Sequence, residues 1–367
     1  MESPENHSKG SLVVSFLFFT GRGGSFLSPK RERKEWGRKK YNIICCYGFR
    51  REKKEKVPAM KHVFIINPAA GKYDHTEEFA GKIAAACTAR GLDYELCVSE
   101  KPGGCRDLAR EAASRGGEVR IYACGGDGTL NEVVNGVVGF DNVAVTHFPG
   151  GSGNDAVKIF SEPAAFSNLE RLLDAEEARF DLIRCNGSYA LNVLSVGLDA
   201  RIGTDIARFK RLPFVTGKGA YILSTINNLF HGISQHYRVT LDGAETVEGQ
   251  QTMICICNGR WYGGSFNPVP EAEPDDGLLD VLIVKKVNLL QVAGVIGKYQ
   301  KGRYADYPQL IRRVRCRTVR IECERENVVN VDGEAIRTAD AQIELIPQAI
   351  RFFYPRGLTY RCENSQK

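Results

Sequence analysis

From Met60 onward, short apolar runs alternate with segments of helical period, and this alternation restricts the fold more than any other feature of the 367-residue chain. VFII (63–66), YELCV (94–98), VRIYAC (119–124) and NVAVTHFP (142–149) have the length and composition of buried strands. Between them, TEEFAGKIAAACTARG (76–91) spaces Phe79, Ile83 and Cys87 as one helical face and ends on Gly. RDLAREAASRG (106–116) reads as a second helix. The segment after residue 126 sets Leu130, Val133, Val134, Val137 and Val138 on one face of a third, and a further helix is expected near AVKIF (156–160). Strands alternating with helices imply a parallel sheet with helices on both sides, a doubly wound α/β domain.

After about residue 180 the texture changes. DLIRC, YALNVLSVG, HYRVTLDG, TMICICNG, LLDVLIV, TVRIEC, NVVNVDGEAI and AQIELIP are β-rich segments, many separated by Gly, Asn or Asp turns. The main helical interruptions are KGAYILSTINNLF (218–230) and LLQVAGVIGKYQ (289–300). The expected organisation is an α/β nucleotide-binding domain over 60–180 and a mostly antiparallel substrate domain over 181–349. A strand near 350–363 returns to the first domain, and the chemistry sits in the cleft between them.

Charge separates the first residues from the rest. The formal net charge is +6, but residues 1–56 hold fourteen Lys/Arg against six acids, so they carry +8 and the remainder carries −2. A nucleic-acid role for the body loses its electrostatic support. LVVSFLFF (12–19) is too short to span a bilayer, and MESPENHSKG lacks the positive start of a signal peptide. Residues 1–59 are expected to be a disordered or mis-assigned extension, with Met60 as the true start; a basic arm for a membrane surface is the competing reading. The twelve cysteines include no C-x-x-C, which speaks against zinc and for free thiols in a reducing cytoplasm.

Two glycine-rich stretches follow consecutive strands: GGDGTLNEVVNG (125–136) and PGGSGND (149–155). Backbone N–H groups in such loops can approach anionic oxygens unobstructed, and a helix N-terminus adds partial positive charge. A carboxylate among phosphates makes sense where Mg²⁺ lies between them, which gives Asp127 one role; capping the helix as part of a plain turn is the other. NPAAGK (67–72) is followed by Tyr73 rather than Ser or Thr, so it is not a Walker A loop.

Taken in order, NPAAG, GGDGTLNE and GGSGND resemble the diacylglycerol kinase catalytic domain family, which includes bacterial lipid kinases and is related to sphingosine and ceramide kinases. The resemblance extends through NVLSVGLDARI (192–202), the helix around KGAYILSTINNL, PVPEAEPDDGLLDVLIV (268–284) and VNVDGEAI (329–336). It implies an ATP- and Mg²⁺-dependent kinase acting on a lipid hydroxyl, most simply diacylglycerol giving phosphatidic acid. Asn67 and the NPAAG loop, Gly71 included, would border the nucleotide. Gly126, Asp127, Gly128, Thr129, Leu130, Asn131 and Glu132 would hold ATP phosphates, with Asp127 acting through Mg²⁺. Ser152 stands where the family has Thr, Gly153 and Asp155 would complete that loop, and Ser99 is a further nucleotide contact competing with a solvated loop serine. Glu334 would be the general base, the alternative being an exposed residue after an Asp332-Gly333 hairpin turn. Glu273, Asp276 and the carbonyl of Leu278 match a structural Mg²⁺ loop, although DDG is also an ordinary turn. PFVTGKGAYILSTINNLF (213–230) lines a lipid pocket or is plain core.

The resemblance thus implies a cytoplasmic enzyme peripheral to the inner face of the membrane, with a membrane lipid as partner, no nucleic acid, and a homodimer left open. The alternatives are an NAD kinase-like phosphotransferase, which shares the GGDGT turn, and a regulatory protein that binds nucleotide without turnover.

Overall fold

The computed structural model describes residues 60–71, 73–198, 200–201 and 234–362. These lie within one compact unit, Cys45–Lys367. Residues 1–59, the expected helix at 218–230 and the apolar stretch 213–230 lie outside the described residues, as does Asp199.

The first strand, β1 (Lys61–Ile66), pairs in parallel with both β2 (Tyr94–Val98) and β3 (Val119–Gly125), and β3 pairs with β4 (Val143–Pro149). The order β4-β3-β1-β2 means the chain leaves β1 in one direction and then crosses to its other side. Connections therefore diverge between β1 and β3, which opens a crevice at the carboxyl ends of those strands. The crossovers are α1 (Thr76–Arg90), α2 (Gly104–Ser114) and α3 (Asp127–Val137). Phe79, Ile83 and Cys87 of α1 and Leu130, Val133, Val134 and Val137 of α3 are buried together with the strands, as their spacing requires. Gly91 stops α1 in the left-handed region (φ 62°), its N–H returning to the carbonyls of Cys87 and Thr88.

The segment around AVKIF differs from expectation. It forms a 3-10 turn, Asp155–Ile159, not an α-helix. Asn154 enters it at φ 52° and Phe160 leaves it extended. Pro163 soon follows and biases Glu162 away from helical backbone. A short helix, α4 (Leu169–Leu173), is capped by the Asn168 side chain.

The remaining strands are β5 (Ala175–Cys185), β6 (Ser188–Ala190), β7 (Val193–Gly197), β8 (Gln235–Leu241), β9 (Glu245–Cys257), β10 (Leu279–Lys285), β11 (Ile311–Cys316), β12 (Thr318–Val331) and β13 (Glu334–Pro355). Helix α5 (Leu289–Tyr299) links β10 to β11. The order β11-β10-β9-β7-β12-β13-β4-β3-β1-β2 is continuous: an α/β half runs into a β-rich, antiparallel half. The junction is β13, 22 residues long, antiparallel to β12 and β5 but parallel to β4 at Arg351 and Phe352. Period-two alternation buries both faces of the central strands. Ile254 and Ile256 pack with Leu194, Val281 and Ile283, whereas Cys255 and Cys257 pack with Val193, Leu282 and Tyr299. Among the described residues, no helix is long and apolar enough to cross a membrane.

Candidate active site

Register brings the expected loops to one level. Ile66 lies opposite both Val98 and Cys124, and Cys124 lies opposite Phe148, so the loops after β1 to β4 leave the sheet together. The Asn67 amide nitrogen of the backbone donates to Cys124 O (3.1 Å), and its side-chain Nδ2 donates to Thr129 Oγ1 (3.0 Å). Gly150 N donates to Gly125 O (2.7 Å). The glycines are required where the loops touch. A Cβ on Gly151 would stand 2.5 Å from Gly126 Cα, and one on Gly71 (φ 81°) would stand 2.7 Å from Gly150 O. At Gly153 it would collide with Asp127 Oδ2.

Asp127 holds this assembly together. Its Oδ2 accepts from Asn154 N (2.8 Å) and its Oδ1 from Asp155 N. It does not cap its own helix, whose N-cap is Gly126; it fastens the GGSGND loop to the GGDG loop. Asp155 in turn accepts from Lys158 Nζ (2.7 Å) and from Gly264 N (2.9 Å). Lys158 Nζ also donates to Gly264 O and lies 5.6 Å from the Trp261 ring centre. Burial raises the Asp155 carboxyl above its usual range and neighbouring Asp127 adds to this, while Lys158 opposes it. Behind the loops, buried His147 meets Gly125 O at 2.8 Å through Nε2, which must therefore carry the proton. Burial lowers its pKa against the pull of Asp127 and Asp155, so the ring is neutral.

The DGE stretch is a two-residue hairpin between β12 and β13, with Val331 opposite Glu334. Asp332 (φ 47°) and Gly333 (φ 96°) both take the left-handed backbone of a type I′ turn. The Asp332 carboxylate accepts from three successive N–H groups: Leu191 (2.6 Å), Asn192 (3.0 Å) and Val193 (2.8 Å). Burial nevertheless pushes its pKa up to about 6. A second tie runs through Tyr189: its carbonyl accepts from Asn131 Nδ2 (3.0 Å) and Asn135 Nδ2 (2.9 Å) of α3. Glu334 is exposed at the start of β13, and its carboxylate makes no hydrogen bond among the described residues.

Of the residues singled out in the sequence, Asn67, Gly71, Gly126, Asp127, Gly128, Ser152, Gly153 and Asp155 gather at this sheet end. Ser152 is exposed, and a Cβ on Gly128 would meet open space. The side chains of the next four residues point elsewhere. Thr129 meets Asn67, Leu130 is core, Asn131 reaches Tyr189, and Glu132 accepts from Gly103 N and Cys105 N at the start of α2. The backbone N–H groups of Thr129 and Leu130 are also taken, both donating to Gly126 O (3.0 and 3.2 Å). Ser99 is buried rather than solvated, its hydroxyl donating to Lys101 O (3.1 Å). In the EPDDG loop, Glu273 Oε1 accepts from Cys362 N, and Asp276 pairs with Arg315 while accepting from Leu278 N. Among the described residues, no three His, Cys, Asp or Glu side chains are grouped to share a metal ion. His147, Lys158, Asn135 and the anchoring role of Asp332 come from the structure and were not expected from the sequence. Only Asp332 carried a signal, its place in a D-G turn two residues before Glu334.

Residues 61–185 match the family model described as diacylglycerol kinase catalytic domain, and residues 192–354 match the YegS C-terminal NAD kinase beta sandwich-like domain. A "putative lipid kinase" of Staphylococcus aureus (strain MSSA476) is 27% identical over 277 residues, 74% of this chain and 90% of that protein. One of Staphylococcus epidermidis (strain ATCC 12228 / FDA PCI 1200) is 28% identical over 277 residues, 74% of this chain and 89% of its own. A solved structure, a "putative diacylglycerol kinase" from Bacillus anthracis str. Sterne, superposes with TM-score 0.66 at 26% identity, covering 82% of this chain and 98% of its own. With both halves of the β-sheet matched in order and the three glycine loops converging, residues 61–185 carry a diacylglycerol kinase catalytic domain, followed over 192–354 by a YegS-like C-terminal domain.

Proposed function

We propose that the chain is an ATP-dependent lipid kinase that phosphorylates a lipid hydroxyl, with diacylglycerol as acceptor and phosphatidic acid as product. One observation carries this reading: three glycine loops in backbone contact around Asp127, with the Asp332-Gly333-Glu334 turn tied to the 191–193 backbone and that segment, through Tyr189, to α3. The N–H groups of Asp127 and Gly128 at the start of α3, and the outward-facing Gly128 and Ser152, suit ATP phosphate oxygens. Asp127 and Asp155 face each other across two joined loops, and the Asp127 charge adds to the raised pKa of Asp155. Such a site would repel a triphosphate unless a divalent cation came with it. Mg²⁺ commonly keeps several waters and takes one or two carboxylates plus phosphates, which fits a site offering Asp127 and, among the described residues, no dedicated cage. Asp127 would hold the ion with the lone pairs left after its two backbone hydrogen bonds. Bound MgATP supplies the transferable phosphoryl group and offsets its charge.

Glu334 is the proposed general base. It takes the proton from the lipid hydroxyl as that oxygen bonds to phosphorus and the bridging bond to ADP breaks. Asp332 is a positioning residue, since its carboxylate is committed to the 191–193 backbone. The acceptor lipid would be reached peripherally from the inner membrane face by a substrate domain over 181–349. A second cation at Glu273, Asp276 and the Leu278 carbonyl would have to displace Arg315 from Asp276. The test is a pair of variants assayed with diacylglycerol micelles. Glu334→Ala is expected to lose about 10²–10⁴-fold in kcat, the usual contribution of a general base, with the KM for MgATP little changed. Asp127→Ala is expected to weaken MgATP use as well. Full turnover by Glu334→Ala would mean another group takes the proton.

A further inference from the structure

Helix α5 presents an apolar face that the core does not use. Among the described residues five large apolar side chains are exposed, and three of them are Leu289 (52%), Leu290 (84%) and Ile296 (41%). The opposite side of the helix is anchored, with Tyr299 buried and Val292 and Val295 packed on the cluster around Leu282. Between the exposed residues lie Ala293, Gly294 and Gly297, and a Cβ added at either glycine would meet open space. Asn288 and Gln291 form a capping box, so the apolar tip sits on a well-formed first turn.

Charge tells what such a face suits. From residue 285 to 306 the chain has five bases (Lys285, Lys286, Lys298, Lys301 and Arg303) and one acid, Asp306. Asp306 is taken by Arg303 (2.8 Å) and Lys298 (3.5 Å). Lys285, Lys286 and Lys301 are exposed, flank both ends of the helix and have no acidic partner among the described residues. An apolar strip bracketed by unpaired lysines matches an anionic lipid surface, where acyl chains meet phosphates.

The helix also abuts the site. Gln300 O accepts from Asn267 N (3.0 Å), Gln300 Nε2 donates to Ser265 Oγ (2.9 Å), and Tyr299 packs on Phe266. In the same loop Gly264 is held by Asp155 and Lys158. Eleven residues at ~1.5 Å each carry Leu289 about 16 Å from that end. We infer that α5 is the membrane-docking helix: Leu289, Leu290 and Ile296 enter the headgroup region of an anionic bilayer, Lys285, Lys286 and Lys301 meet its phosphates, and the far end carries that contact to the Asp155 loop. The inference rests on the lipid-kinase reading for its purpose but not for its test.

The test is sedimentation of the full chain with sucrose-loaded vesicles of equal phosphatidylglycerol and phosphatidylcholine, or of phosphatidylcholine alone, without ATP or diacylglycerol. The full chain is expected to bind the anionic vesicles and to be released by high salt. Leu289→Gln/Leu290→Gln should weaken partitioning at least tenfold, since two exposed leucines lose their apolar burial. Lys285→Gln/Lys286→Gln should weaken it about tenfold on anionic vesicles only. Lys82→Gln/Arg171→Gln, on other helices, should bind as wild type does. The single variant Leu290→Gln guards against misfolding, and unchanged circular dichroism is its check. Wild-type binding by the double-leucine variant, or no binding by the full chain, overturns the inference. Self-association through these leucines with vesicles unbound would assign the face to a second copy and also overturn it. Because no acceptor or nucleotide is present, failure here leaves the kinase reading standing, and absence of any phosphorylated lipid leaves vesicle binding untouched.

Discussion

Gly151→Ala tests whether the glycine loops are held by contact with each other. The residue lies outside the left-handed region, so alanine is not strained by its own backbone. What it meets is Gly126 Cα at 2.5 Å and Asn154 Oδ1 at 3.0 Å. Carbon atoms rest comfortably at about 3.5–4.0 Å, so the loops must part by roughly 1 Å. Neither loop yields easily. Gly150 N is bonded to Gly125 O, Gly151 O accepts from Asn154 Nδ2 (2.9 Å), and Asp127 grips Asn154 N. Overpacking of this kind costs about 1–3 kcal/mol of stability. Displacement of positioning groups by about 1 Å costs on the order of 10²-fold in rate. Thermal unfolding and steady-state kinetics with varied MgATP would measure both. Gly81→Ala, in open space on α1, is the control, expected to keep activity and gain roughly 0.8–1 kcal/mol. A Gly151→Ala enzyme with wild-type stability and kcat/KM would refute the claim that these loops are in backbone contact.

Asp332 makes stability depend on pH in a defined sense. Its folded pKa, about 6, lies above the usual 3.8, so its contribution is complete below about pH 4 and is lost as pH rises through 6. Relative to Asp332→Asn, the wild type should lose no more than about 3 kcal/mol between those values, measurable by denaturant unfolding at pH 4.5 and 7; a difference that does not move with pH would contradict this. Arg260, buried, donates to the carbonyls of Ala272 (2.7 Å), Tyr360 (2.6 Å) and Ile159 (3.4 Å). Arg260→Met strands these acceptors and should destabilise by roughly 3 kcal/mol or more, whereas a Tm shift under about 2 °C would show that they find other partners.

Much of the α/β half was legible because its signals are local. The apolar period of α1 and α3 matches the buried faces, and Gly91 stops α1 where the sequence puts it. AVKIF misled because its apolar residues suggest a helix, while the left-handed Asn154 and the nearby Pro163 shorten it to a 3-10 turn. The glycine loops were legible as a group, yet half their reason was not. That Gly151 touches Gly126 and Gly153 touches Asp127 depends on strand register across residues far apart in sequence. The same holds for Asp332, whose partners lie about 140 residues earlier. Glu132 looked like part of a phosphate loop, but a helix turn carries its side chain to α2.

The most direct measurement of the central claim is incubation of the full chain with γ-labelled ATP, Mg²⁺ and a panel of lipids in mixed micelles. The panel should hold diacylglycerol, monoacylglycerol, phosphatidylglycerol and a sphingoid base, with organic-phase label as the readout. Labelled phosphatidic acid from diacylglycerol, lost in Glu334→Ala, is the predicted result. No labelled lipid from any member of the panel would contradict the kinase reading itself.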